Sequence, residues 1–134
     1  MIDHHSALIY TMVLVSAADR IMTDAELKTM GDIVRHLPIF RDYDLSQLTT
    51  TARECAETLS EDEGLDKALA EIESALPDRL RETAYALACD VAATGGKVSQ
   101  EELRLLEMLQ HRLGIRRLEA AAIERGARAR FQTV

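Results

Sequence analysis

Tryptophan is absent from this sequence, and only three tyrosines and two phenylalanines stand among its 134 residues. Strands draw on aromatic and β-branched side chains, so this scarcity argues against a sheet. Two prolines and six glycines leave long stretches uninterrupted, and alanine, leucine and glutamate, all good helix formers, fill them. No apolar run approaches the roughly 20 residues that cross a bilayer, so no membrane span is expected. The opening residues Met1-Ile2-Asp3-His4-His5 are acidic and lack the basic stretch of a secretory signal, which makes the cytoplasm the expected location. Cysteine is limited to Cys55 and Cys89, far apart and with no CxxC spacing. Free buried thiols are therefore expected rather than a disulfide or a zinc knot.

Catalytic signatures are missing as well. There is no serine elbow, no P-loop, no glycine-rich cofactor loop and no histidine-rich ligand set. The expectation is a protein that is not an enzyme, although paired carboxylates are able to do acid–base work. Net charge is −7, unevenly spread: residues 1–111 hold 21 acids against 10 bases, whereas residues 112–134 hold six arginines against two glutamates. An acidic body is a poor match for nucleic acid, whose binding needs phosphate neutralisation. It favours cations or basic partners instead.

What is present is helical periodicity punctuated by caps. Asp3 or Ser6 can start a first helix running to about Ala18, with Leu8, Thr11, Met12 and Val15 as its buried stripe. A second, from Asp24 to about Leu37, would bury Leu27, Met30, Ile33, Val34 and Leu37 before Pro38 ends it. Phe40 and Tyr43 in the following connector are expected to plug the core. Asp44 caps a third helix carrying Leu48, Ala52, Cys55 and Leu59, and a fourth spans about Leu65–Leu76. A fifth covers about Asp78–Ala93, a sixth Gln100–Leu113 ending at Gly114, and a seventh Arg116–Arg130 with a basic outer face. With no linker or low-complexity segment, the expectation is one all-α domain over residues 1–134, a compact bundle of seven helices.

Two junctions echo each other. Thr23-x-x-Glu26 and Ser99-x-x-Glu102 both fit the capping box, in which a hydroxyl and a carboxylate satisfy free amides at a helix start. Aligning the boxes also aligns Leu27 with Leu103, Met30 with Leu106 and Leu37 with Leu113. The chain thus contains two pseudo-repeated helical hairpins. The acids near these corners are Asp19, Asp24 and Glu26 in the first, and Asp90, Glu101 and Glu102 around the second. If the corners meet, their carboxylates repel unless a cation lies between them. Oxygen-only ligands favour Ca²⁺, Mg²⁺ or Mn²⁺ over Zn²⁺, and the spacing from Asp19 to Glu26 is too short for an EF-hand loop. Asp90 sits in the otherwise apolar run Leu87–Ala93, where a carboxylate must reach water, pair with a donor or bind a cation.

The stretch Val15–Glu26 resembles the A-x-A-D-G-x-x-x-x-x-E signature of the TerB-like tellurite-resistance family, and Asp90–Glu102 with Leu113-Gly114-Ile115 resembles its second copy. The resemblance implies a TerB-like seven-helix fold, no known catalysis, a role in tellurite resistance or stress response, and a metal-binding surface at the acidic junctions. Carried over by position, Asp19, Glu26 and Glu102 match signature acids. Arg20 stands where glycine is usual, and Gly95 replaces the second signature aspartate; Asp90, one turn earlier, is its candidate substitute. The metal set expected from the resemblance is therefore Asp19, Glu26, Asp90 and Glu102. The alternative is a metal-independent scaffold for a protein partner or a homodimer, using the basic face of the seventh helix or an exposed apolar stripe.

Overall fold

The structure, a computed structural model, describes residues 1–19 and 22–134. Its helices are α1 (His4–Ala17), α2 (Asp24–His36), α3 (Leu48–Leu59), α4 (Gly64–Ala75), α5 (Arg81–Ala93), α6 (Gln100–Leu113) and α7 (Arg117–Arg130). Among the described residues there is no strand. The all-α, seven-helix expectation matches this architecture. Arg20, the cation expected beside Asp19, lies outside the described residues.

Local chemistry explains where the helices begin. Asp3 Oδ1 accepts the Ser6 amide at 2.8 Å and opens α1. Two starts differ from expectation. Asp44 does act as a cap, but over a single 3₁₀ turn (Leu45–Gln47) from which α3 then continues. Likewise Pro77 precedes a 3₁₀ turn (Asp78–Leu80) rather than α-helix, and α5 follows it. Tight turns of this kind satisfy amides that have no partner one full α-turn back. The start of α4 is tighter still. A Cβ on Gly64 would lie 2.3 Å from the Thr58 carbonyl oxygen, and Glu63 before it takes φ 55°.

The core is organised around α1 and α5, the leading helices of the two hairpins, which lie against each other. Every residue of α1 from Ala7 to Ser16 is buried. The sequence pattern pointed to a one-sided stripe; instead α3, α4, α5 and α6 surround the helix, so Ile9, Tyr10, Val13 and Leu14 are covered as completely as Leu8 and Met12. The apolar α5 is enclosed in the same way, with α7, α6 and α2 around it. The hairpins also interlock, because α2 packs on α5 while α6 packs on α1. Phe40 is buried against the His5 ring, and Tyr43 is half-buried with its hydroxyl 3.2 Å from Thr51 Oγ1.

Leu27, expected in the buried set of the second helix, is instead exposed, and so are Leu103 and Leu65. Leu27 is 50% exposed, its counterpart Leu103 44% and Leu65 37%. Leu27 and Leu103 follow their capping glutamates directly, the position at which a hydrophobic staple meets the residue before the cap, here Met22 and Val98.

Candidate functional site

The two capping boxes form with the same geometry. Glu26 Oε1 accepts the Thr23 amide at 3.0 Å while Thr23 Oγ1 accepts the Glu26 amide at 3.1 Å. Glu102 Oε1 accepts the Ser99 amide at 3.0 Å and Ser99 Oγ accepts the Glu102 amide at 3.1 Å. Each glutamate is thereby folded back over its own helix start, and each is buried: Glu26 is 6% exposed and Glu102 3%.

Folding back also aims the two carboxyl groups at one another, so the corners of the two hairpins meet. Glu26 stands within hydrogen-bonding reach of Glu102, yet Glu102 Oε2 is buried without any donor. The two facts agree once the chemistry is considered. Ionised carboxylates are acceptors only, so the contact becomes a hydrogen bond only when one of them carries a proton. Burial holds the Glu102 carboxyl above its ordinary pKa, opposed by the Ser99 hydrogen bonds and reinforced by Glu26 and by the charge of Asp19. Asp19, just beyond the end of α1, is therefore electrically part of this corner. Asp24 and Glu101 are exposed acids in the first turns of α2 and α6.

Asp90 takes a different direction. Its Oδ1 accepts a hydrogen bond from the Arg130 guanidinium, tying α5 to the end of α7. Of the three fates open to a carboxylate in that apolar run, pairing with a donor is the one adopted. One turn later Thr94 Oγ1 lies 2.9 Å from both the Asp90 carbonyl oxygen and Thr29 Oγ1 and joins α5 to α2, a link no spacing in the chain announced. Gly95, in the signature-aspartate position, is exposed, and a Cβ there would meet nothing within 4 Å.

The corner thus presents two buried carboxylates from opposite halves of the chain, with a third acid acting on one of them. Among the described residues no group of three or more His, Cys, Asp or Glu has the spacing to hold a metal ion. What the corner can offer a cation is the Glu26–Glu102 pair, with one Glu102 oxygen still without a partner.

A family model described as "Tellurite resistance protein TerB" matches residues 5–125. Comparison with curated proteins and with solved structures found no match in either case.

Proposed function

Because this chain belongs to the TerB family of tellurite-resistance proteins, we propose that it is a non-catalytic cytoplasmic domain of the stress-response type that holds a divalent cation between Glu26 and Glu102. The observation supporting this is the partnerless, buried Oε2 of Glu102 facing a second buried carboxylate. Such an arrangement is costly unless a proton or a cation occupies it. All-oxygen ligation suits Ca²⁺, Mg²⁺ or Mn²⁺ rather than Zn²⁺. Two carboxylates are few, which suits an ion that keeps much of its own water, as Mg²⁺ does. When bound, the ion supplies positive charge to a buried acidic pair. Glu26 and Glu102 each hold one hairpin's corner against it, and Asp19 adds negative potential.

Thermal unfolding of metal-stripped protein titrated with Mg²⁺, Ca²⁺ and Mn²⁺ tests this. A rise in Tm of about 2–4 °C is expected at saturating ion, lost when Glu26→Gln and Glu102→Gln are combined. Glutamine keeps an oxygen for the cap amide, so both capping boxes survive. The ion-free variant should in fact exceed the ion-free wild type in stability by about 1 kcal/mol, because an unpaired buried charge has been removed. Gly95→Asp, for which there is room, should enlarge the response. Absence of any rise in the wild type would remove the cation and favour the scaffold reading. For that alternative the supporting observation is Leu118, 82% exposed at the start of the arginine-rich α7. Light scattering with Arg125, Arg128 and Arg130 changed to glutamate then reports whether self-association or partner capture depends on that face.

A further inference from the structure

A cleft of about 570 Å³ opens between α5, α6 and α7, and its lining includes Val98 and Leu103, which flank the Ser99–Glu102 capping box. Tyr85, Cys89, Leu106 and Phe131 are among the residues that form its walls, and Leu103 and Arg128 stand at exposed positions around it. The volume falls in the range of sites that enclose a small organic molecule.

The internal repeat supplies a control for what this cleft is built to do. Aligning Thr23 with Ser99 pairs Tyr85 with Ile9, Cys89 with Val13, Glu107 with Gly31 and Gln110 with Val34. In the first hairpin all four positions are apolar or glycine. In the second, where the cleft lies, all four carry a polar group, and all four line it. The exchange does not run one way throughout, since Ala92 of the lining pairs with Ser16, but Tyr85, Glu107 and Gln110 place hydroxyl, carboxylate and amide groups where the first half has Ile9, Gly31 and Val34.

The charge that matters most is Glu124. The buried Tyr85 hydroxyl donates to its Oε2 at 2.5 Å, and burial together with that bond keeps the phenol protonated as a donor. Glu124 is thereby held in one orientation, half-buried at the wall of the cleft. Its Oε1 receives no hydrogen bond from any described residue. Glu107 adds a second carboxylate. Arg128 is the one basic side chain of the lining, exposed and without an ion pair among the described residues. A fixed, partly desolvated carboxylate selects more strongly than a mobile, solvated guanidinium, because less order must be imposed on binding.

We propose that the α5–α6–α7 cleft is a binding site for a small amphipathic cation, an apolar or aromatic body carrying one ammonium group, with the ammonium on Glu124 and the body against Leu103, Leu106 and Phe131. Aromatic and aliphatic walls cover the body, and the charge-assisted hydrogen bond to Oε1 sets the orientation.

Isothermal titration calorimetry with phenethylammonium, hydrocinnamate and hydrocinnamyl alcohol separates cation, anion and neutral body. Phenethylammonium should bind with a dissociation constant below about 1 mM, and the other two at least about tenfold more weakly. Glu124→Gln retains an oxygen for Tyr85 and should cost about tenfold or more in phenethylammonium affinity. Leu103→Trp, at a position already exposed, should fill the cleft and abolish binding without touching Glu124. Equal binding of the carboxylate or the alcohol, unchanged affinity in both variants, or no binding of phenethylammonium would each overturn the proposal. None of these results depends on the cation titrations of the corner.

Discussion

Burial governs the two thiols. Cys55 is fully enclosed and accepts no solvent, and its Sγ points to the Tyr10 carbonyl oxygen. Burial pushes both Cys55 and Cys89 up to about 12, with Glu71 adding to the rise at the first and Glu124 at the second. Since the thiolate is the nucleophile, neither should react with a disulfide reagent at neutral pH while the chain is folded. Both should react promptly in denaturant, and a thiol count before and after unfolding checks this. Glu26 and Glu102 show the opposite relation of sequence to structure. Each could be recognised from its capping box alone, a local device within four residues. That the two carboxyl groups come within reach of each other depends on a contact between residues far apart in the chain.

Within single elements, the caps and breaks carry testable weight. The Ser6 backbone amide holds the Asp3 carboxyl below its ordinary pKa; burial opposes it, and the Ser6 side chain and the His5 and His4 charges help. A lowered folded-state value means that Asp3 stabilises α1 fully above the unfolded pKa and loses that contribution as pH falls through the folded one. Asp3→Asn keeps a capping oxygen but should flatten this part of the acid limb, measured as Tm against pH from about 5 to about 2. At the other break, Gly64→Ala forces a methyl against the Thr58 and Leu59 carbonyls. Backbone cannot yield as a side chain can, so a loss of about 2–3 kcal/mol in urea unfolding is expected. The same elements show the limits of local pattern. Helix α6 was legible to its ends because Ser99 and Gly114 mark both. In α3 and α5 the 3₁₀ starts were not, since a capping aspartate and a proline announce a turn without stating its pitch.

For the molecule as a whole, the joint between α5 and α7 is the part most dependent on distant pairing. Asp90 is 18% exposed at its side chain and is matched by Arg130, so Arg130→Ala leaves a largely covered carboxylate without its donor. The expected cost is about 1–2 kcal/mol, with faster amide exchange confined to the last turns of α7. Adding Asp90→Asn should recover part of it, because the stranded charge is then gone. Composition and periodicity alone established a helical chain, seven segments and the duplicated corner, because helix propensity, capping and turn chemistry act between neighbours a few residues apart. They also marked Asp90 as an anomaly. Folding in three dimensions settled the rest: that α1 is enclosed on every side rather than striped, that Leu27 and Leu103 are left exposed, that Asp90 meets Arg130, and that Glu26 meets Glu102. Each of these is a contact or a covering between segments separated along the chain, and no local energy specifies such a meeting until the helices have packed.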